Sequence, residues 1–315
     1  MPWLIGLDWG TTRLRAMLFD GDGAVHETRE RPWGIRHLPD GGFDAALSSI
    51  CEGWPQVPVL AAGMVGSRQG WREVGYADTP ADVDVLMAGI VAVRSADGRQ
   101  LGIVPGVRDS ASMDVMRGEE TQVIGALACR PELSGRAQLL LPGTHSKWVE
   151  VRDGRIVRVS TMMTGELYAV LREHSILGAG IPEADATTTN HEAFDAGVRI
   201  ARDSGAAGVL TRLFSARALM LAGRLALDAV PDYLSGMLIG EEWRAGLASG
   251  WLLPDTSPLL VGDERLCARY ARAATLFRLP EADCISDASA HGLWRIGRAA
   301  ALVGPSAIAQ AQGAH

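Results

Sequence analysis

The sequence predicts an α/β protein of two domains built on one plan, and three observations carry that prediction. The chain has 315 residues, beyond the roughly 100 to 200 usual for a single domain. It is 47% hydrophobic and 21% charged, with 37 glycines, a balance that supports a sizeable core and excludes a disordered or collagen-like chain. The third observation is a segment near the N-terminus that recurs in mid-chain, with strand-like runs and turn residues in the same places.

The first copy, residues 4–30, reads LIGLDWGTTRLRAMLFDGDGAVHETRE, and the second, residues 139–166, reads LLLPGTHSKWVEVRDGRIVRVSTMMTGE. A shift of 133 positions places Leu7 on Leu140, Gly10 and Thr11 on Gly143 and Thr144, and Asp20 and Gly21 on Asp153 and Gly154, without a gap. Each copy reads as an apolar strand, a Gly-Thr turn, a second strand, an Asp-Gly turn and a third strand. Asp-Gly favours a hairpin because glycine tolerates the positive φ that tight turns between twisted strands require. The paired Gly-Thr turns offer backbone amides and hydroxyls to one anionic ligand from both sides of a cleft, because a concavity of N–H groups attracts negative charge.

The rest of the chain fills in around the repeat. Residues 58–63 and 100–104 read as short buried strands, and residues 119–129 as a helix with Val123, Ile124 and Leu127 on related faces. The segment PELSGR, residues 131–136, separates a first domain, residues 1–133, from a second, residues 134–315. In the second, residues 165–172, 210–230, 231–249 and 264–277 read as helices, with 219–227 as plain helical core, and residues 257–262 read as a buried strand.

The net charge is −7 and the sequence pI about 5.5. That argues against nucleic acid, which is bound through clustered positive charge. Four scattered cysteines form no CxxC pair, so neither a zinc site nor a disulfide framework is expected, and a reducing compartment is. The seven histidines show no ligand spacing. Residues 1–8 show no basic segment followed by a long apolar stretch, so no leader is expected, and the sequence contains no apolar run of membrane-spanning length. The expectation is a cytoplasmic enzyme acting on a small molecule, with no membrane partner; nothing in the sequence speaks to oligomeric state.

Several segments carry chemistry. Asp8 ends the first strand beside the first turn, where a carboxylate either caps its own turn or faces a divalent cation. LPGTHSKW, residues 141–148, gathers Thr144, His145, Ser146 and Lys147, the single lysine among 30 basic residues. Lysine is a flexible point charge suited to phosphate; the plain alternative is a solvated strand residue. In VMRGEETQ, residues 115–122, Glu119 and Glu120 open a helix, where carboxylates suit the helix dipole and also suit a proton acceptor; Asp109 and Asp114 compete for that role. GMVGSRQGWREVGY, residues 63–76, is a glycine-rich loop after a strand, and Gly66, Ser67, Arg68 and Trp71 are its candidate substrate residues, arginine being a planar fork for carboxylates. Gly262 and Asp263 join a strand to a helix, where a nucleotide can approach the backbone.

Taken in order, DWGTTRLRA, LAAGMVGSRQGW, VMRGEETQ, LPGTHSKWV, MTGELY and HSILGAG resemble the 2-dehydro-3-deoxygalactonokinase family over nearly the whole chain. That family lies in the superfamily of sugar kinases, heat-shock protein 70 and actin, whose duplicated ribonuclease-H-like domains close over ATP. The resemblance implies an ATP-dependent, Mg²⁺-dependent kinase of 2-dehydro-3-deoxy-D-galactonate, acting at the 6-hydroxyl. It implies that Gly10, Thr11 and Thr12 form a first phosphate loop with Asp8 toward Mg²⁺. Gly143, Thr144, His145, Ser146 and Lys147 form the second, Gly262 and Asp263 contact adenosine, and Glu119 or Glu120 is the catalytic carboxylate with Asp114 as competitor. The alternatives are a kinase of another 2-keto-3-deoxy sugar acid or of a neutral sugar, a phosphatase using water, and an ATP-binding regulator of the same fold.

Overall fold

In the computed structural model, residues 2–181, 189–252, 256 and 258–302 are described. The chain opens with β1 (Pro2–Trp9), β2 (Leu14–Asp20) and β3 (Val25–Arg31). There follow α1 (Gly42–Ile50), β4 (Val59–Gly63), β5 (Tyr76–Asp78), α2 (Val83–Ala88), β6 (Val91–Arg94), β7 (Gln100–Ile103), β8 (Gly106–Asp109), β9 (Asp114–Met116) and α3 (Glu119–Cys129). The second copy of the repeat forms β10 (Arg136–Leu141), β11 (Ser146–Arg152) and β12 (Arg155–Met162). After it come α4 (Thr164–His174), α5 (His191–Arg202), α6 (Ser215–Leu221), α7 (Val230–Ala248), β13 (Leu259–Val261), α8 (Glu264–Leu276), β14 (Cys284–Ile285) and α9 (Ala288–Ala299).

The repeated sequence gives a repeated sheet. One sheet has the order β3-β2-β1-β4-β7-β6 and the other β12-β11-β10-β13-β14; a small third sheet is β5-β8-β9. In both large sheets the three strands of the repeat lie side by side and the first of them pairs in parallel with a later strand, β1 with β4 and β10 with β13. The central strands are apolar runs rather than alternating ones because both of their faces are covered: Leu4, Ile5, Leu7 and Trp9 of β1 are all fully buried.

Contacts group the chain into two units that are not two contiguous halves. One comprises Met1–Ala137, Val149–Ser160 and Ser286–His315; the other comprises Gln138–Trp148 and Thr161–Ile285. A single cut near residue 133 therefore misses two features: the outer part of the β11–β12 hairpin and the helix α9 both group with the first unit. The reason for α9 is close packing on α3. A Cβ built on Gly125 would stand 1.8 Å from the Ala288 carbonyl oxygen, and one on Gly292 would stand 1.9 Å from that of Thr121, so the two helices meet backbone to backbone at positions only glycine permits. The second unit has its own core, in which Trp148 meets Trp243 edge-on at 5.7 Å beside Phe194, Val198, Ile239 and Tyr270.

The predicted helices at 119–129, 165–172, 231–249 and 264–277 and the strands at 58–63 and 100–104 form within a residue or two. The strand expected at 257–262 forms as β13, with residue 257 outside the described residues. The single helix expected over 210–230 is a correction: α6 stops at Leu221, and Gly223 takes φ +67, a left-handed conformation that ends a right-handed helix. The core reading of 219–227 holds in part: Leu219, Met220 and Leu225 pack against the cluster around Tyr233 and Met237, while Leu221 is 68% exposed. Unanticipated was α5, whose buried Ala193, Phe194, Gly197, Val198 and Ala201 follow the helical period and whose start is capped by the Asn190 side chain.

Candidate active site

In the first unit, the C-terminal ends of β1 and β4 and the start of α3 converge through glycines. A Cβ on Gly63 would lie 2.8 Å from the Trp9 carbonyl oxygen, and one on Gly118 would lie 3.2 Å from the Gly63 Cα. Asp8 stands one residue before that corner. Its Oδ2 accepts from the Ser289 hydroxyl at 3.1 Å and from Arg15 at 3.4 Å, and Ser289 in turn accepts from the Gln122 amide at 3.2 Å. Ser289 and Gln122 thus fix Asp8 from α9 and α3, which no sequence spacing announces. Among the described residues no hydrogen bond reaches Oδ1 of Asp8. One half-exposed carboxylate with an open oxygen suits Mg²⁺, a cation that takes one or two carboxylates and keeps several waters. Next to it, Gly10 N donates to the Arg13 carbonyl at 2.9 Å, and at the tip of this turn Thr11 is half-buried and Thr12 exposed.

The carboxylates of the RGEE segment have different fates. Glu120 is fully buried, and its two oxygens both lie near the Gly118 N–H, at 2.9 and 2.8 Å. Burial, and then the charge of Glu119, push its carboxyl up to about 8. Glu119 is half-buried, and its Oε2 accepts from Arg117 N at 3.0 Å. Asp114 lies in β9 with Oδ1 accepting from Val115 N at 2.7 Å. Asp109 is buried at the end of β8: burial raises its carboxyl, but N–H groups of Val159, Ser112 and Ala111 outweigh that and hold it below its ordinary value. It braces backbone in the turn after β8 and in β12.

A pH dependence follows from Glu120. The folded chain keeps a proton that the unfolded chain releases near the ordinary 4.5, so stability present below that pH is lost progressively as pH rises through about 8. Thermal unfolding followed across that window is expected to show Tm falling more steeply in the wild type than in Glu120→Gln, which carries no titrating group there. Parallel curves would show that Glu120 does not hold its proton.

The substrate-loop residues divide similarly. Gly66 is buried against Ile103 and Arg117, and Trp71 stacks on Phe43 at 5.7 Å and 14° and meets Trp9 edge-on, so Trp71 extends the core. Arg68 is exposed and Ser67 half-buried. Arg117, which sequence reasoning passed over, has its guanidinium 4.4 Å from the Tyr76 ring centroid and donates through Nη2 to the Val74 carbonyl at 2.7 Å, while its Nε and Nη1 are buried with no hydrogen-bond partner among the described residues.

In the second unit the loop between β10 and β11 exposes Thr144 and His145 and half-buries Gly143. His145 Nε2 and Glu166 Oε2 are in close contact, and Glu166 N donates to the Thr144 carbonyl at 2.9 Å. Two expectations change here. Ser146 is fully buried, with its Oγ 3.0 Å from the Tyr270 hydroxyl and accepting from Gly143 N at 3.4 Å; it shares a face of β11 with the buried Trp148, two residues on. Lys147 is only 5% exposed, with its ammonium 3.2 Å from the His145 carbonyl oxygen, which rules out a solvated strand side chain. Gly262 takes φ +139 beside Pro142 of the same loop, a conformation that favours glycine. Asp263 uses Oδ1 to cap α8, accepting from Leu266 N at 3.0 Å.

Comparisons with known proteins identify the family. The family model described as 2-keto-3-deoxy-galactonokinase matches residues 8–296. The chain belongs to the 2-keto-3-deoxy-galactonokinase family. It is 36% identical to the 2-dehydro-3-deoxygalactonokinase of Escherichia coli (strain K12) over 273 residues, 85% of this chain and 88% of that one. The crystal structure of a Sinorhizobium meliloti protein described under the same activity name superposes with a TM-score of 0.84 at 35% identity, covering 94% and 99% of the two chains. The activator of 2-hydroxyisocaproyl-CoA dehydratase from Clostridium difficile, solved with bound ADPNP, shares the fold at a TM-score of 0.52 and 13% identity, covering 95% and 96%. Among the described residues of this kinase-family chain, no helix is long and apolar enough to cross a membrane. Cys129, Asp287 and His291 bring their ligand atoms within 4.8 Å of one another, and the Asp287 and His291 side chains are hydrogen-bonded at 3.2 Å; that grouping of a scattered cysteine and histidine was not legible in the sequence.

Proposed function

We propose that this protein is an ATP-dependent kinase that phosphorylates 2-dehydro-3-deoxy-D-galactonate at the 6-hydroxyl, a step of galactonate breakdown. The observation that carries the reading is the family match over residues 8–296, which includes both Gly-Thr turns and the RGEE corner. Phosphoryl transfer needs positioning and charge compensation more than covalent chemistry. Asp8 would hold Mg²⁺, which neutralises phosphate oxygens when bound. Gly10, Thr11 and Thr12 offer one turn to phosphate, and Gly143, Thr144, His145 and Lys147 offer a second, with Ser146 bracing it from below. Gly262, where a side chain is disfavoured, supports the adenosine contact, and Asp263 orders the helix behind it. Glu119 is the proton acceptor for the substrate hydroxyl: it is more accessible than Glu120, which is sealed from solvent.

Arg68, exposed on the loop that follows β4, pairs with the substrate carboxylate. Loss of a charge-assisted hydrogen bond costs about 1.5 to 3 kcal/mol, roughly ten- to a hundredfold in affinity. Arg68→Ala is therefore expected to raise KM for the sugar acid by that factor and leave KM for ATP unchanged; equal acid KM values would remove Arg68 from the site. The function itself is tested by ATP turnover against a panel of 2-keto-3-deoxy sugar acids and the matching neutral sugars. Turnover with 2-dehydro-3-deoxy-D-galactonate to ADP and the 6-phosphate is expected. Preference for a neutral sugar, or ATP hydrolysis at the same rate without an acceptor, would overturn the reading.

A further inference from the structure

A carboxylate with no part in the chemistry above is buried in the core of the second unit. Glu242 of α7 is 2% exposed, and three donors from three other elements converge on it. Trp148 Nε1 of β11 donates to Oε1 at 3.0 Å, the Tyr270 hydroxyl of α8 donates to Oε2 at 2.6 Å, and the Thr164 hydroxyl at the start of α4 donates to Oε2 as well. Two of these donors, Trp148 and Tyr270, belong to the apolar cluster that also holds Trp243 and Phe194. Burying a carboxylate there is costly, and a side chain of similar volume without charge would fill the space at no such cost.

What a carboxyl group supplies that an apolar group does not is direction. Burial raises the Glu242 carboxyl above its ordinary value, yet three donors are aimed at its two oxygens, so Glu242 is the acceptor of this network; with the Tyr270 proton directed at Glu242, the phenolic oxygen is left to accept the proton of Ser146, 3.0 Å away. Ser146 in turn presents a lone pair to Gly143 N. One chain of hydrogen bonds thus runs from α7 to Gly143 in the loop. Thr164 ties down the opposite wall: a Cβ on the next residue, Gly165, would stand 2.5 Å from the Gly143 carbonyl oxygen. We propose that Glu242 is a positioning residue that sets the shape of residues 143–147 for nucleotide phosphate; this rests on the reading of that loop as a phosphate loop.

Two variants test it. Glu242→Gln keeps the volume but replaces an acceptor with a donor, which forces Tyr270 or Thr164 to turn. Tyr270→Phe leaves the carboxylate in place and cuts the link to Ser146, so it serves if the first variant does not fold. Calorimetric Kd for the Mg²⁺ complex of a non-hydrolysable ATP analogue is expected to rise tenfold or more in each, with KM for the sugar acid within twofold of wild type. In the double variant the two effects are expected to be less than additive, because both act through one chain. A purely structural role would lower Tm and leave the nucleotide Kd of the folded protein unmoved. Folded variants that bind the analogue as the wild type does would overturn the proposal alone; a wild type that binds no nucleotide would overturn the phosphate-loop reading, and the proposal with it.

Discussion

Glu119→Gln is expected to lower kcat by about 10² to 10⁴, the usual span for loss of a general base, with KM for ATP unchanged. Glu119 opens α3 at the corner where Gly118 packs on Gly63, and its half-buried carboxylate stands next to Arg117 N. A carboxylate that is ionised and reachable accepts the hydroxyl proton as the phosphoryl group transfers. Glu120 meets neither condition, since it is sealed from solvent and keeps its proton to about pH 8. Kinetics of Glu119→Gln, Glu120→Gln and Asp114→Asn, each with ATP affinity measured separately, check the assignment. If turnover is abolished only by Asp114→Asn, the base lies in β9 and Glu119 merely suits the helix dipole.

Lys147→Met is expected to reduce kcat/KM by about 10² or more, the scale of losing one preorganised charge contact to a reacting group, while the protein still folds. Methionine has nearly the length of the lysine stem, so a position only 5% exposed keeps its packing. Because Lys147 is the only lysine, an amine-reactive reagent has two kinds of target, this side chain and the N-terminal amine. Modification of Lys147, followed by mass spectrometry, is expected to be slow in the ligand-free protein, given its burial, and slower still with Mg-ATP. A labelling rate that ATP and sugar acid leave untouched, together with full activity of Lys147→Met, would reduce Lys147 to a structural strand residue.

Both predictions begin from residues the sequence already singled out, and they differ in what the fold added. The duplicated hairpins were legible because turn chemistry and apolar runs act over a few residues: Asp-Gly and Gly-Thr mark the turns whatever surrounds them. Helices α3, α7 and α8 were legible for the same local reason. The helix expected over 210–230 was not correct, because the left-handed Gly223 interrupts a stretch whose composition otherwise favours helix.

The sequence by itself determined the repeat, the family and the short stretches that carry the candidate chemistry, since each is encoded in contiguous residues. Only the tertiary structure separated the surroundings of Glu119 and Glu120, adjacent residues of one type that the turn of the helix sends to different environments. It also turned Ser146 inward to Tyr270, buried Lys147 and brought Ser289 to Asp8 across 281 positions of chain. Glu242 is the clearest case: its donors lie 28, 78 and 94 positions away. A hydrogen bond depends on where two atoms end up, and at such separations that is set by packing of whole elements rather than by any pattern along the chain.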